Sequence, residues 1–102
     1  MRSRQLIVSR KAESDLRDIF DLLAEDSPQA AHELIHAIVG YMRVIAESGL
    51  PGRSRPELGD GVRSLVCRQR VIFFRTDETT VRVMRVLHGR RDIGASDLPT
   101  DL

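Results

Sequence analysis

Two apolar runs joined by a short polar segment dominate the last third of the chain. The runs cover residues 71–75 and 81–87, and the polar segment covers residues 76–80. Both runs are rich in β-branched and aromatic residues, so together they predict a β-hairpin. Each run also contains arginine. A guanidinium group stays charged at any relevant pH, so each strand arginine must meet water, a carboxylate or an anionic partner.

A short strand and two helices are predicted ahead of this hairpin. Residues 6–8 form the strand, and Ser9 can cap the helix that follows it. Ser27 is the N-cap of the second helix, with Pro28 in the first helical position, where its missing N–H has no cost. Gly49 suits a left-handed C-cap, which ends this helix at residue 47 or 48. Apolar residues recur at helical spacing in both segments: Ala12, Leu16, Ile19, Phe20 and Leu23, then Ala31, Leu34, Ile35, Ile38, Met42 and Ile45.

A loop and three further strands complete the predicted fold. Residues 50–61 contain three Gly and two Pro, a composition typical of a loop. Strands are predicted at residues 62–66, from 69 or 70 to 75, and at 80–87. The order βααβββ indicates one α+β domain over residues 1–102, in which a helical hairpin packs on a mostly antiparallel, twisted sheet.

The last strand is mostly apolar on both faces. Strict alternation divides its side chains into two sets: Val81, Val83, Arg85 and Leu87 on one face, and Arg82, Met84, Val86 and His88 on the other. One face would meet the helices, and the other is available to a partner. Arg85 is thus expected among apolar neighbours, where an unpaired charge is costly.

Composition limits the kinds of protein this chain can be. Its residues are 41% hydrophobic and 30% charged, and no segment approaches the roughly 20 apolar residues of a membrane helix. The N-terminus lacks the pattern of a secretory signal, so we expect a cytoplasmic protein without membrane contact. Cys67 is the single cysteine, and His32 and His36 lack a third metal ligand, so no disulfide, metal or cofactor is expected.

Charge is distributed unevenly along the chain. Residues 1–52 carry six basic and eight acidic side chains, whereas residues 53–91 carry ten arginines and four acidic residues. A basic sheet half suggests an anionic partner, either nucleic acid or an acidic protein segment. Arg53 and Arg55 in the loop, with Arg63 just after it, are expected mainly in solvent. The acidic residues of the first helix are expected on its wet side, where they add solubility: Asp15, Asp18 and Asp21.

The order of elements and several short motifs resemble the RelE/ParE superfamily of bacterial toxins, and the ParE branch most closely. The motifs that carry the resemblance span most of the chain: residues 12–19, 27–31, 49–53, 58–65, 70–75 and 83–92. Similarity to ParE implies a poison of DNA gyrase. It also implies a hetero-oligomer with a cognate, ParD-like antitoxin, whose C-terminal segment wraps the toxin and neutralises it.

The RelE branch of the superfamily implies a different activity, the cleavage of mRNA on the ribosome. Such an RNase needs cations around the reacting phosphate and a group that moves the 2′-OH proton. Arg63, Arg85 and His88 are the candidates for those roles. Against them, the only tyrosine, Tyr41, lies within the second helix. We therefore expect inhibition by binding rather than by catalysis, with an RNase or a degenerate antitoxin-binding module as the alternatives.

The basic residues of the strands and of the segment after them are the candidate binding residues. Five are predicted to contact the antitoxin or the target: Arg75, Arg85, His88, Arg90 and Arg91. Arg85 is expected to receive a carboxylate or carbonyl of the antitoxin, if its face is free of the helices. His88 is expected to hydrogen-bond a neighbouring group rather than to act in catalysis. Structural roles are expected for three residues: Pro28, Gly52 in the turn that the resemblance identifies, and Asp92 as the partner of Arg91.

Overall fold

Two helices pack on one face of a five-stranded sheet in the computed structural model, which describes residues 3–49, 51–90 and 93–98. The elements are β1 (Gln5–Val8), α1 (Arg10–Ala24), α2 (Pro28–Ser48), β2 (Arg53–Ser54), β3 (Val62–Cys67), β4 (Arg70–Thr76) and β5 (Thr80–His88). The sheet order is β1-β5-β4-β3-β2, with β1 parallel to β5 and every other pair antiparallel. The predicted α+β fold is confirmed, and β2 is an addition within the predicted loop.

The helix boundaries follow the predicted capping residues. Ser9 Oγ accepts a hydrogen bond from the backbone N–H of Ala12 at 3.0 Å, and Ser27 Oγ accepts one from Ala30 at 3.1 Å. Pro28 is the first residue of α2, and Gly49 ends that helix with a left-handed φ of 70°. These side chains satisfy N–H groups that a helix start leaves unpaired, which fixes where each helix begins.

The main core lies between the helical hairpin and the sheet. Fully buried side chains of α2 meet those of the strands in this core: Ile38, Met42, Ile45, Ile72, Phe74, Val81, Val83 and Val86. Burying each large apolar side chain contributes about 1.5–3 kcal/mol. Packing on the sheet therefore holds the two helices in place more strongly than their own helix propensity does.

A β-bulge in β5 changes which of its side chains face the helices. Phe73 pairs with Arg85 but Phe74 pairs with Val83, so Met84 has no opposite residue in β4. One extra residue in a strand interrupts the period-two alternation. The predicted division of β5 is therefore wrong beyond the bulge. Val86 joins the core under the helices, whereas Leu87 packs on the opposite side of the sheet with Met84.

A second, smaller core covers part of the sheet face opposite the helices. Its buried members are Leu58, Val62, Phe73, Met84, Leu87 and Leu98. Leu58 comes from the 3₁₀ turn Pro56–Leu58, and Leu98 follows the 3₁₀ turn Ala95–Asp97. The chain's own loop and C-terminal segment thus cover much of the apolar surface on this face, which we call the outer face.

Asp77 organises the turn between β4 and β5. One carboxylate oxygen, Oδ1, accepts hydrogen bonds from the backbone N–H groups of Thr79 at 2.9 Å and Thr80 at 2.8 Å. The other, Oδ2, accepts one from the Thr80 hydroxyl at 2.8 Å. The Thr79 N–H, followed by the two Thr80 donors, lowers the pKa of Asp77 to about 2. The ionised form is therefore the one that the folded turn favours.

We expect Asp77→Asn to make folding less sensitive to acid. Because the folded pKa of Asp77 lies below the ordinary value of 3.8, its contribution is complete above that value and is lost as the pH falls toward about 2. Urea denaturation at a series of pH values measures the free energy of unfolding. At pH 6 this free energy should be larger for the unchanged protein than for Asp77→Asn. The difference should shrink between pH 4 and pH 2. Parallel profiles down to pH 2 would contradict this prediction.

Candidate partner-binding surfaces

Arg85 is bound within its own chain by a carboxylate of α1. Its Nε lies 2.7 Å from Asp15 Oδ2 and its Nη2 lies 2.8 Å from Asp15 Oδ1, while Nη1 donates to the Asp97 carbonyl at 2.9 Å. Arg85 is 6% exposed and Asp15 is 8% exposed. The hydrogen bonds to Asp15 raise the pKa of Arg85 against the opposing effect of burial. The carboxylate that we expected from a partner is therefore Asp15 of the same chain.

Asp15 also completes the edge of β5 that β1 leaves uncovered. Because β1 ends at Val8, no strand in the described part of the chain pairs with β5 after Val83 on that side. Ser9 Oγ donates to the Met84 carbonyl at 2.8 Å, and Asp15 Oδ2 accepts from the Val86 N–H at 3.0 Å. Polar side chains thus take the place of a strand along this edge.

The prediction that Asp15 faces solvent is wrong. The sequence does contain the signal, because the buried residues of α1 are Ala12, Asp15 and Ile19, at spacings of three and four. These positions form one helix face. An acidic residue on the buried stripe of a helix, together with an arginine in an apolar strand, could have indicated an internal pair.

His88 and Arg90 lie in the described part of the segment where β5 ends. His88 is exposed, and its Nδ1 accepts a hydrogen bond from the Arg90 backbone N–H at 3.2 Å. The expectation that His88 hydrogen-bonds a neighbouring group is therefore confirmed. Arg91 and Asp92, with their predicted ion pair, lie outside the described residues.

A groove with apolar and basic residues opens at this end of the sheet, and we call it the end groove. It has a volume of about 590 Å³ and lies between the helical hairpin and the β3–β4 turn. Its lining residues are Leu22, Leu23, Ala30, Leu34, Arg68, Gln69, Arg70 and His88. A second groove of about 340 Å³ shares Leu22, Arg70 and His88 with it and continues along β5. Leu22 is 65% exposed and contributes open apolar surface to both grooves.

Four arginines form a second surface, the arginine face, on the outer side of the sheet: Arg53, Arg55, Arg75 and Arg82. Register assigns three of them to this side. Arg75 lies opposite Val62 and Arg82, and Arg53 lies opposite Ser64, which in turn lies opposite Phe73. Val62 and Phe73 belong to the second, smaller core on the outer face. Arg53 is exposed, as predicted, whereas Arg55 is partly buried. The strand β2, which places Arg53 on this face, was not predicted.

The fourth member, Arg55, is fixed by its neighbours on the arginine face. Its Nε lies 2.7 Å from Glu57 Oε2, and its Nη1 donates to Ser64 Oγ at 3.4 Å. The guanidinium carbon lies 5.5 Å from the centre of the Phe73 ring, within the range of a cation–π contact. The hydrogen bond from Arg55 lowers the pKa of Glu57.

The three candidate RNase residues do not form one cluster. Arg85 and His88 line the same groove along β5, but Arg63 lies apart from them. Arg63 pairs with Phe74, which pairs with Val83, so Arg63 and Val83 lie at the same position along the strands. In the same way, His88 pairs with Arg70, which pairs with Cys67. Since Cys67 is four residues from Arg63 along β3, the two candidates lie about 13 Å apart along the sheet. Arg63 Nη1 donates to the Pro51 carbonyl at 3.3 Å, and the third candidate, Arg85, is bound by Asp15.

Within the ranges 3–49, 51–90 and 93–98, no cluster of three or more His, Cys, Asp or Glu side chains could hold a metal ion. His32 instead contacts the Phe20 ring edge-on, with ring centres 4.9 Å apart. Neither helix in these ranges is long and apolar enough to cross a membrane.

Comparison with known proteins identifies the family. The family model for the ParE toxin of the type II toxin–antitoxin system, parDE, matches residues 6–93. Toxin ParE1 of Mycobacterium tuberculosis, in strains CDC 1551 / Oshkosh and ATCC 25618 / H37Rv, is 35% identical over 97 residues. The alignment covers 89% of this chain and 95% of that toxin.

Solved structures agree with this assignment. A chain of the chromosomal ParDE system from P. aeruginosa has a TM-score of 0.71 and 25% identity, covering 84% of this chain and 96% of that one. A chain of the RelBE2 toxin–antitoxin complex from Mycobacterium tuberculosis shares the fold, with a TM-score of 0.63, 24% identity and coverage of 86% and 93%. The chain therefore belongs to the ParE family, the toxins of type II toxin–antitoxin systems.

Proposed function

We propose that this toxin inhibits bacterial growth by binding DNA gyrase and that a cognate, ParD-like antitoxin neutralises it. The observation that carries the proposal is the state of the candidate catalytic residues. Arg85 is already paired with Asp15, and Arg63 and His88 are well separated along the sheet. An RNase needs its cations and its proton-transfer group around one phosphate. Membership of the ParE family supports the same conclusion.

Expression of the chain alone in bacteria tests this proposal. Gyrase poisoning should produce double-strand DNA breaks and an SOS response while transcripts stay intact. Transcripts should also stay intact when His88→Ala is expressed, because His88 has no catalytic role in this account. Cleaved transcripts without DNA breaks, lost in His88→Ala, would reject gyrase poisoning and make the chain an RNase.

The shape and charge of two grooves support an antitoxin partner. The end groove combines exposed Leu22 with Arg68 and Arg70, so it suits a segment that carries both apolar and acidic residues. A shallow groove of about 710 Å³ on the helical hairpin is mostly apolar. It is lined by Phe20, His32, Glu33, Ile35, His36 and Val39. Amphipathic helices dock into grooves of this kind. A ParD-like segment that crosses both grooves would cover the helical hairpin and the end of the sheet.

We expect Leu22→Glu to weaken antitoxin binding by about 30-fold or more, the effect of losing one interface hot spot of about 2 kcal/mol. Because Leu22 is 65% exposed, the substitution should leave folding intact. Titration of the purified toxin with its antitoxin measures the change. Val66→Glu is the matched control, since Val66 is 62% exposed and lies outside both grooves. Equal loss of affinity in both variants would contradict a docking role for the end groove.

A further inference from the structure

Two arginines of the arginine face lie directly opposite each other on neighbouring strands. Arg75 of β4 and Arg82 of β5 are paired residues in the antiparallel register. Like charges in such positions destabilise a sheet. Arg75 donates its Nε to the Asp60 carbonyl at 2.9 Å, and Arg82 forms no hydrogen bond or ion pair with the described residues. Fold stability alone therefore does not account for this pair.

The other two arginines extend the positive charge across the outer face. Arg55 stacks on Phe73, which precedes Arg75 by two residues, so Phe73 and Arg75 lie about 7 Å apart along β4. Arg53 is exposed on the edge strand β2. Within the described ranges, the only ion pair that these four arginines form is the one between Arg55 and Glu57. The arginine face thus carries a net positive charge with unused N–H donors.

The outer face offers charge but little apolar surface to a partner. Its apolar residues already pack together under the two 3₁₀ segments: Leu58, Val62, Phe73, Met84, Leu87 and Leu98. Protein partners gain most of their affinity from apolar and aromatic anchors that enter pockets. Binding to a nucleic-acid backbone depends instead on cations that neutralise phosphates, and arginine suits phosphate because its planar fork can donate two hydrogen bonds at once.

We propose that the arginine face binds the phosphate backbone of duplex DNA. The choice of DNA rests on the proposed function, because a toxin seated on gyrase lies next to the DNA that gyrase holds. Arg75 and Arg82 each contact a phosphate, with Arg55 and Arg53 beside them. Arg82 and His88 are six residues apart on β5, so this site is about 20 Å from the His88 side of the end groove. DNA and antitoxin therefore contact different parts of the toxin.

The test measures binding of the purified toxin to a fluorescent 20-base-pair duplex over a series of salt concentrations. Arg75→Glu/Arg82→Glu should weaken binding at least tenfold at low salt. It should also reduce the slope of log K against log salt by about 2, since each lost phosphate contact removes about 0.9. The control, Arg17→Glu/Arg43→Glu, makes the same charge change at exposed positions on the two helices and should change affinity less than threefold.

A single substitution distinguishes a loss of DNA binding from a loss of folding. Because Arg82 forms no hydrogen bond with the described residues, Arg82→Glu should fold normally and reduce the salt slope by about 1. Three results would overturn the inference: no duplex binding by the unchanged toxin, equal losses in the face and control variants, or tenfold tighter binding of an acidic peptide or single-stranded RNA to the same face.

Failure of this inference is distinguishable from failure of the proposed function. Gyrase-dependent DNA breaks without duplex binding by the toxin would reject the arginine face as a DNA site and leave gyrase as the target. Duplex binding through Arg75 and Arg82 without such breaks would uphold the DNA site and reject gyrase poisoning.

Discussion

Asp15→Ala should lower the free energy of unfolding by about 3–5 kcal/mol, the usual effect of removing one partner from a buried ion pair. The variant leaves the Arg85 guanidinium without its carboxylate and the Val86 N–H without its acceptor. Urea denaturation monitored by circular dichroism measures the change. Asp21→Ala, an exposed position on the same helix, should stay within about 0.5 kcal/mol of the unchanged protein.

A double substitution separates the pair itself from the damage of breaking it. Asp15→Leu/Arg85→Met removes both charges and should recover much of the loss, because apolar replacements of a buried pair are often neutral. A change below about 1 kcal/mol in Asp15→Ala would contradict the view that this pair holds α1 against the open edge of β5.

Gly52→Ala should destabilise the protein by about 3 kcal/mol or more. Gly52 has a φ of +64°, and a β-carbon there would lie 2.5 Å from the Ser64 carbonyl oxygen and 3.1 Å from the Phe74 ring. The first of these atoms belongs to the backbone of β3, so it cannot move aside easily. The same urea denaturation measures the effect. We also expect the pairing of β2 with β3 to be lost in this variant.

Gly61→Ala is the control for backbone conformation. Gly61 has a similar φ of +73°, but a β-carbon there meets no atom within 4 Å. Its substitution should cost only the left-handed penalty of about 1–2 kcal/mol. If the two alanine variants were equally stable, the close approach of β2 to β3 would not be what requires glycine at residue 52.

Local sequence signals were enough to predict the helices and the order of elements. Ser9, Ser27, Pro28 and Gly49 act through neighbours within four residues, so their roles can be read without knowledge of the fold. The predicted hairpin also formed, with its turn around Asp77. The parallel pairing of β1 with β5 was not specified, because β1 reaches its partner only after the helical hairpin has returned the chain to the sheet.

Predicting the candidate sites requires the register between strands, which cannot be read from the sequence of one strand alone. The bulge at Met84 decided which residues of β5 face the helices, and it arises from how β5 pairs with β4. Arg75 and Arg82 become neighbours through the same pairing. Asp15 was assigned to the solvent side of α1 because it is charged, although its spacing from Ala12 and Ile19 places it on the buried stripe of that helix. Arginine content indicated an anionic partner, but only the sheet showed which arginines lie together.

The most direct test of gyrase poisoning uses purified components. The toxin is incubated with DNA gyrase, ATP and supercoiled plasmid, and the cleaved DNA is trapped by denaturing the enzyme. Binding of gyrase by the toxin predicts linear plasmid that accumulates with toxin concentration and disappears when the cognate antitoxin is added first. Unchanged supercoiling with no cleaved plasmid, alongside mRNA cleavage when the toxin is added to translating ribosomes, would contradict it.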